Sequence, residues 1–596
     1  MRPFFVTAQE ARKLPRLALL LLCVLYTVPG FVSRDPWRSD DAASFGTALS
    51  MMRSTDFGWL LPQVFGAPVL DEGPLYFWLS ALAMKALPFL DAHFAMRISA
   101  ALILGSLLVC IWYASYALAR RPEVQPSDPF GLSADKTDFA RTIADLSVVA
   151  VISCLGIIVR IHETTSELLQ VGLVSLFLLG CARGLINTRQ GGVIAGIAIG
   201  ASFLTKGPAI GFALLATLLL LPAFVRQYRL VKQSFLPIAI IIALLIGLSW
   251  PLALLIKYPQ HLGSWLAEAA PGWRDPKELI TGLRYLLRTF SWYLWPLWPI
   301  ALWTIYRWRS GILKPAVALP LTTLVMCLVA TIITGQSSEG YLMFLVPPLA
   351  LLAAIGVPTV ARSITNLIDW FAVMIFTSFG LAVWLYYMSL FTGYPERMAR
   401  SATRYAVGYA IEFSAVAVTC AALATVAWLA IVVWRVSARA KPLWRTNVIS
   451  SSGLALSWFL LMTLWLPIFN HRKTYRDLTQ EIAIHLPLEH RCVESRGLQL
   501  SQRASLGYFL ALRFSEQEKI GTQCDWFLIA DANNAPLPTA DEALWVLRWE
   551  GRRVADKLER FRLYERRQEG SLLAKLVSNT KVDSMPVVAP AASLPH

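Results

Sequence analysis

Long apolar runs separated by short polar segments fill the chain up to about residue 469. A run of about 20 apolar residues is long enough to cross the hydrocarbon core of a bilayer as a helix. The pattern predicts about thirteen membrane-spanning helices, near residues 17–33, 97–119, 143–159, 168–186, 191–205, 209–225, 235–256, 286–305, 315–334, 341–358, 370–391, 409–434 and 448–469. A further run, 74–90, contains Lys85 and is bounded by prolines, so it either spans the membrane or lies at its surface.

The chain after residue 469 has a soluble composition. Leu478, Ile482 and Leu486 have helical spacing, and a second helix is predicted over 504–514. Short runs predict strands at 526–530, 544–549 and 561–567. The predicted fold class is therefore an all-α polytopic membrane protein with a small C-terminal α/β domain. We expect a transmembrane domain over 1–469, the α/β domain over 470–577, and a disordered Pro/Ala-rich tail over 578–596.

The composition agrees with a membrane protein. Of the 596 residues, 56% are hydrophobic and only 15% are charged. Soluble globular proteins contain about 25% charged residues, so this composition excludes an ordinary soluble enzyme, a disordered chain and a fibrous repeat. The formal net charge is +16. In a membrane protein such an excess reflects basic loops that stay in the cytoplasm, and we expect no nucleic-acid partner.

The positions of the basic residues predict the orientation of the spans. If the N-terminus is cytoplasmic and 74–90 stays on the outer surface, every cytoplasmic loop is basic, as the positive-inside rule requires. If 74–90 crossed the membrane, all later loops would invert and the rule would fail. The sequence therefore predicts a multi-pass protein with loop 34–96 and the C-terminal domain on the outer side.

The acidic residues collect in the predicted outer loops, beginning with the adjacent pair Asp40 and Asp41. A carboxylate there could act as a general base on an acceptor. The pair could also bind a divalent metal ion, because hard cations favour carboxylate oxygens. The alternative is a solvated loop in which Ser39 or Asp40 caps the helix 42–52.

Four short motifs lie in these loops. They are Trp37-x-x-Asp40-Asp41, then Glu72-Gly73-Pro74-Leu75-Tyr76-Phe77-Trp78 followed by Arg97, then Phe203-Leu204-Thr205-Lys206-Gly207-Pro208, and finally Glu339-Gly340-Tyr341 leading into the stretch from Pro347. Together they resemble the GT-C glycosyltransferases, in particular the superfamily that joins aminoarabinose transferases with protein O-mannosyltransferases. The aminoarabinose branch has one lysine where this chain has Gly73, and another before the Tyr, where residues 336–340 contain none.

The resemblance implies a sugar donor on a polyprenyl phosphate and an acceptor on the periplasmic face of a bacterial inner membrane. The acceptor would be lipid A, a protein or another glycan, and membrane lipids would surround the protein. We accordingly expect catalytic carboxylates among Asp40, Asp41, Glu163 and Glu167, and spacing does not choose between the last two. The expected cations for the donor phosphate are Lys206, Arg97, Arg53 and Arg160. The residues expected to contact the substrates are Glu72, Tyr76, His162, Glu339 and Tyr341.

Two other functions stay open on the sequence alone. One is a transporter or flippase of lipid-linked glycans, and the other is a ligase or polymerase of surface glycans. The spans carry almost no ionisable residues at mid-membrane depth, where ion-coupled transporters usually have them. The sequence identifies no cofactor with certainty, and a divalent metal ion at Asp40 and Asp41 stays an open alternative.

Cys492 and Cys524 are the only two cysteines outside the predicted spans. The predicted topology places both in the periplasm, where disulfides persist. We therefore expect these two cysteines to form a disulfide.

Overall fold

The computed structural model describes residues 4–12, 14–54, 57–127, 133–268, 275–410, 412–437, 442–487, 492–515, 524–531, 540–542, 544–553, 556 and 558–567. The chain divides into two compact units, Met1–Thr474 and Tyr475–His596, each with its own hydrophobic core. The tail predicted to be disordered, 578–596, lies outside the described residues.

The described part of the first unit is built almost entirely of helices, because a helix satisfies its backbone hydrogen bonds within the segment. In chain order the helices are α1 (Arg16–Thr27), α2 (Asp40–Arg53), α3 (Leu75–Ala86), α4 (Ala92–Ala119), α5 (Lys136–Ile152), α6 (Ile157–Arg160), α7 (Ser166–Gly184), α8 (Thr188–Phe203), α9 (Ala209–Phe224), α10 (Arg226–Gly247), α11 (Ser249–Lys257), α12 (Pro259–Glu268), α13 (Pro276–Tyr293), α14 (Leu297–Arg307), α15 (Pro315–Thr334), α16 (Glu339–Leu342), α17 (Val346–Gly356), α18 (Arg362–Thr392), α19 (Glu396–Tyr405), α20 (Ala415–Ser437), α21 (Arg445–Leu464) and α22 (Leu466–Lys473). Strands β1 (Gln63–Val64) and β2 (Ala67–Pro68) form a short antiparallel hairpin between α2 and α3.

Eight helical segments of the described chain are long and apolar enough to cross a membrane. They are Ala92–Ala119, Ser166–Gly184, Arg226–Lys257, Pro315–Thr334, Glu339–Thr359, Arg362–Thr392, Ala415–Ser437 and Asn447–Leu464. Shorter apolar helical segments lie at Arg16–Gly30, Leu75–Ala86 and Ala209–Phe224. The predicted class of a helical, multi-span membrane protein is confirmed at this level. The predicted span 286–305 is divided between α13 and α14 on either side of Pro296, which lacks the N–H that would continue a helix.

The apolar helices differ in what covers them. All of the most apolar window of Glu339–Thr359 is buried, whereas only 11% of the corresponding window of Ala415–Ser437 is. A helix that is apolar all round and yet exposed is typical of a membrane span. The first segment is therefore enclosed by the rest of the described chain, and α20 has the exposed apolar surface of a membrane span.

Three glycines let α8 approach α10 closely. A Cβ atom added at Gly192, Gly196 or Gly200 would lie 3.1, 2.6 or 2.7 Å from an atom of α10. Small residues four apart permit such contact between membrane helices, where van der Waals packing drives association. This packing fixes the end of α8, from which the corner 204–208 projects.

The second unit contains a five-stranded mixed sheet and two helices within its described residues. The elements are α23 (Arg476–His485), β3 (Cys492–Arg496), α24 (Leu500–Phe509), β4 (Arg513–Phe514), β5 (Trp526–Asp531), β6 (Trp545–Gly551) and β7 (Arg560–Arg566). The strand order is β4-β3-β5-β7-β6, with β3 parallel to β4 and β5 and the remaining pairs antiparallel. All six residues of β5 are buried. The sulfur atoms of Cys492 and Cys524 are bonded, with the Cα atoms 5.3 Å apart.

The second helix of this unit, α24, differs from the predicted range 504–514. It begins earlier because Gln499 and Gln502 form a reciprocal capping box. It ends earlier because Ala511 adopts a left-handed backbone conformation with φ of 53°, which breaks the helix. Arg513 and Phe514 then pair with β3 as a strand.

Candidate active site

A polar cavity of about 510 Å³ lies where several loops of the first unit meet. The residues that line it are Ser39, Asp40, Asp71, Arg160, Glu167, Lys206, Tyr285, Gln336, Ser337, Ser338, Glu339 and Tyr341. Six of the residues predicted from the sequence are among them, namely Asp40, Arg160, Glu167, Lys206, Glu339 and Tyr341. The fold thus brings together side chains from all the loops in which the four motifs lie.

Asp40 is the first residue of α2, and its side chain is 44% exposed. Arg160, the last residue of α6, donates from Nη1 to Asp40 Oδ2 at 2.8 Å and to Glu163 Oε2 at 2.9 Å. Its Nε lies 3.9 Å from Glu339 Oε2. Burial alone would lower the pKa of Arg160, but Glu163 and Asp40 outweigh burial and raise it. Arg160 is therefore a permanent cation that holds the exposed carboxylate of Asp40 at the cavity.

The neighbouring Asp41 is only 1% exposed and connects two loops. Its Oδ1 accepts from the N–H and the hydroxyl of Thr164, at 2.8 and 2.6 Å. Its Oδ2 accepts from the N–H of Trp37 at 3.0 Å and lies 3.4 and 3.5 Å from Arg97 and Arg34. Burial alone would raise the pKa of Asp41, but the two arginines outweigh it and lower the pKa to about 2. Asp41 is an ionised structural anchor.

The alternative of a metal ion held jointly by Asp40 and Asp41 does not match the directions of the two side chains. The two carboxylates diverge, one toward Arg160 and the other toward Thr164. Within the described residues, no group of three or more His, Cys, Asp or Glu side chains is placed to hold a metal ion. Both aspartates are occupied by protein donors instead.

The described residues also do not show Ser39 capping the helix α2. Ser39 precedes α2 with a left-handed φ of 72°, and its side chain makes no capping hydrogen bond within the described structure. The helix begins at Asp40 instead of Ala42, which places the Asp40 side chain at the rim of the cavity.

Lys206 stands at the corner between α8 and α9, where Gly207 supplies a left-handed φ of 71°. Its Nζ lies 2.5 Å from Glu72 Oε1, 3.2 Å from Asp71 Oδ2 and 3.3 Å from Glu167 Oε1. Burial alone would lower the pKa of Lys206, but these carboxylates raise it well above the ordinary value. Burial, opposed by Lys206, raises the pKa of Glu72 to about 7. Because three carboxylates surround one ammonium group, we infer that one of them retains a proton near neutral pH.

Gly73 brings the first loop onto this corner. Its N–H donates to the carbonyl oxygen of Thr205 at 2.5 Å, and the N–H of Leu75 donates to that of Leu204 at 3.0 Å. A Cβ atom at Gly73 would lie 2.4 Å from the Leu204 oxygen. The close approach excludes a side chain, so the lysine that the aminoarabinose branch has here could be accommodated only if the corner moved.

Among the described residues, seven of the predicted ones lie outside the lining, namely Asp41, Glu163, Arg97, Arg53, Glu72, Tyr76 and His162. Glu163 and Glu72 contact the two lining cations directly. Burial raises the pKa of Glu163. Tyr76 is fully buried. Arg53 is exposed at the end of α2, with its guanidinium 5.9 Å from the centre of the Phe65 ring.

His162, expected to contact a substrate, is fully buried. Its ring nitrogens contact the carbonyl oxygens of Ile158 and Tyr26, at 2.6 and 2.8 Å. The ring stacks on Trp458 with centroids 4.8 Å apart. Burial lowers the pKa of His162 to about 4. It is a neutral packing residue in this structure.

The sequence analysis missed Asp71, Tyr285 and the polar segment 336–338 of the lining. Asp71 could have been predicted as a lining residue, because it directly precedes Glu72, the first residue of the second motif. Tyr285 lies within α13, and its sequence neighbourhood carries no motif. Only the fold brings it to the cavity.

Comparison with known proteins shows what the fold of the chain resembles. No family model matches the chain. Over 92% of its length the chain superimposes on the crystal structure of ArnT from Cupriavidus metallidurans bound to undecaprenyl phosphate, covering 97% of that chain with a TM-score of 0.60 and 16% identity. The apo structure of the same protein gives the same TM-score. The fold is therefore that of ArnT, as the predicted GT-C resemblance requires.

The sequence relatives point the same way. The chain is 25% identical over 254 residues to the undecaprenyl phosphate-alpha-4-amino-4-deoxy-L-arabinose arabinosyl transferase of Aeromonas salmonicida (strain A449), matching 42% of each chain. It is 23% identical over 349 residues to the enzyme of the same name from Serratia proteamaculans (strain 568), matching 57% of this chain and 58% of that one. The chain thus matches about half the length of these curated relatives. The resemblance to ArnT is confirmed.

Proposed function

We propose that the protein is a membrane glycosyltransferase that moves a sugar from a polyprenyl-phosphate donor to an acceptor at the periplasmic face of the inner membrane. In this proposal the transmembrane domain 1–469 crosses the membrane about thirteen times from a cytoplasmic N-terminus, and the domain 470–577 is periplasmic. The names of the curated relatives and the ArnT fold support the donor class. The acceptor is lipid A, a protein or a glycan.

The observation that carries the proposal is the shared cavity of Asp40, Arg160 and Lys206. It joins exposed carboxylates, of which Asp40 is one, with two cations at loops beside membrane spans. A lipid-linked donor needs such a place, because its chain stays in the bilayer while its phosphate and sugar reach polar groups.

Asp40 fits the role of general base, since it is the most exposed carboxylate of the Arg160 cluster. An acceptor oxygen would attack the anomeric carbon and pass its proton to the Asp40 carboxylate. The bond from the anomeric carbon to the phosphate oxygen would break, and the polyprenyl phosphate would leave with the electron pair. The configuration at the sugar carbon would be inverted.

Lys206 and Arg160 fit the role of phosphate partners. Electrostatic stabilisation of the leaving group is usually the largest catalytic contribution in such reactions. Both cations keep their charge, since nearby carboxylates raise their pKa values. The phosphate would compete with those carboxylates for the same donors.

The charge of the lining favours an amino sugar. It contains four carboxylates, Asp40, Asp71, Glu167 and Glu339, against the two cations. A positively charged substituent on the sugar would offset this excess, and the curated relatives are named for an amino sugar. Of the two family lysines that this chain lacks, the one at position 73 is excluded by the close packing of Gly73 against Leu204.

Mass spectrometry of lipid A, glycoproteins and polyprenyl phosphates from cells with and without this gene tests the proposal. We expect loss of a sugar from one acceptor and accumulation of the lipid-linked donor. Unchanged glycan masses together with a changed distribution of the donor across the membrane would favour a flippase instead.

A further inference from the structure

A basic helix lies outside the cavity, between two of the membrane-spanning candidates. Helix α19 connects α18 to α20, and Arg397, Arg400 and Arg404 on it are exposed. Their spacing of three and four residues puts all three on one face. The opposite face carries Ala402 and Ala406, which are buried in a core cluster with residues of α18 and α22. The arginine face is therefore turned away from the protein core.

This helix lies at the same end of the bundle as the cavity. Arg472 of α22 donates to the carbonyl oxygen of Tyr405 at 2.9 Å, and its guanidinium lies 4.1 Å from the centre of that ring. The carbonyl oxygen of the next residue, Lys473, accepts from the N–H of Arg38 at 2.7 Å. Arg38 is two residues before Asp40. The backbone thus links α19 through α22 to the loop that presents the proposed general base.

Exposed apolar side chains flank the helix on both sides. Tyr394 is 79% exposed and Phe413 is 62% exposed. Phe413 packs edge to face on Phe391 at the end of α18, with centroids 5.8 Å apart. Aromatic side chains beside basic ones are typical of segments that lie in the headgroup region of a bilayer. The surroundings of α19 therefore fit a lipid surface better than water alone.

The charges of the segment favour an anionic partner. The segment 392–405 contains the three arginines of α19 and only one acid, Glu396. Glu396 lies 3.4 Å from Arg400. In the proposed orientation this face is periplasmic, where the positive-inside rule disfavours arginine. Three arginines on the periplasmic face of one helix therefore indicate a specific anionic partner.

We propose that the arginine face of α19, defined by Arg397, Arg400 and Arg404, binds the phosphate groups of anionic lipids in the leaflet beside the cavity. A guanidinium group offers paired donors that match phosphate oxygens. The flanking aromatic residues contact the acyl region while the arginines reach the headgroups. The interaction is separate from sugar transfer and needs no donor.

Native mass spectrometry of the purified full-length protein with added phosphatidylglycerol tests the surface. The triple variant R397Q/R400Q/R404Q is expected to lose at least about tenfold in affinity, since one basic residue near an anionic lipid surface contributes about fivefold. The variant R397K/R400K/R404K should have an intermediate affinity, because the charge remains while the paired donors of the guanidinium groups are lost. Zwitterionic phosphatidylcholine should bind weakly to all of them.

The matched control is R513Q/R548Q/R560Q, which removes the same charge from exposed arginines of the second unit. Full binding by this control and loss only in the α19 glutamine variant support the proposal. Equal phosphatidylglycerol affinity in the glutamine variant and the unaltered protein overturns it, as does equal loss in the control. Inorganic phosphate alone is a further arm, and binding that depends on the same arginines would assign a soluble anion and overturn the lipid assignment. Because the assay contains no donor, its failure would leave the proposed transfer reaction unaffected.

Discussion

Thr164 donates both its backbone N–H and its hydroxyl hydrogen to one oxygen of Asp41, at 2.8 and 2.6 Å. The loop between α6 and α7 is thereby tied to the first turn of α2. Adjacent residues on a helix point about 100° apart, because a turn contains about 3.6 residues. Asp41 therefore holds the two loops together while Asp40 faces the cavity. Two carboxylates that look equivalent in the sequence have different partners and different exposure.

Replacing Asp41 should lower the stability of the protein. Asp41→Ala leaves Arg34 and Arg97 buried without their carboxylate, and removing one partner of a buried ion pair costs about 3–5 kcal/mol. Asp40→Ala should have little effect, since its side chain is 44% exposed. Thermal unfolding of the two purified variants in detergent compares them. An unfolding temperature of Asp41→Ala equal to that of the unaltered protein would contradict its role as an anchor.

The Lys206 cluster should make stability depend on pH. Burial raises the pKa of Glu72 to about 7, above the value of about 4.3 in an unfolded chain. The folded protein then binds more protons than the unfolded chain between these values. The free energy of unfolding should therefore fall as the pH rises from about 4.3 to about 7. In the Glu72→Gln variant, position 72 no longer titrates. Its unfolding temperature should therefore fall less steeply with pH across this range than that of the unaltered protein. Identical slopes would show that Glu72 does not titrate there.

Gly73 should tolerate no side chain. A Cβ atom at this position would meet the backbone oxygen of Leu204 at 2.4 Å. Gly73→Ala should reduce the unfolding temperature and the yield of folded protein. Gly263→Ala is the matched control, because in the described structure nothing lies within 4 Å of an added Cβ there. Equal behaviour of the two variants would mean that the corner moves freely.

Cys492 and Cys524 should resist alkylation in protein that is denatured without reductant. Their sulfur atoms are bonded in the structure, and the two residues are 32 apart in sequence. Closing a loop of that size stabilises a domain by about 3–4 kcal/mol in the chain-entropy model. The experiment also tests the proposed orientation, because a cytoplasmic domain would keep its thiols reduced. Labelling of both thiols would argue against a periplasmic C-terminal domain.

Hydropathy and motifs predicted the apolar helices and several residues of the cavity. Both signals are local, because they depend on the length of an apolar run and on the residue types in a loop. The buried strand Trp526–Asp531 and the collection of Asp40, Arg160 and Lys206 at one cavity follow from such signals. Local pattern did not show where side chains point. His162 was expected at a substrate, and only the packing of α1 and α21 around it reveals a buried ring.

The two ends of helix α24 were also not predicted from the sequence. The start of α24 depends on a capping box between Gln499 and Gln502, and its end depends on the backbone conformation of Ala511. Tyr285 reaches the cavity from a helix far along the chain from Asp40. Gln499 departs from the Ser or Thr that usually begins a capping box, and the place of Tyr285 depends on tertiary structure, so neither was predicted from the sequence.

The central claim is that Asp40 acts as the base for sugar transfer from a polyprenyl phosphate. Purified protein in liposomes, supplied with a polyprenyl-phosphate amino sugar and lipid A, measures transfer directly. Asp40→Asn should lower the rate by about 10²–10⁴-fold, the usual effect of losing a general base, with an unchanged unfolding temperature. Asp91→Asn, an exposed aspartate at the start of α4, should transfer normally. A near-normal rate for Asp40→Asn would contradict the account.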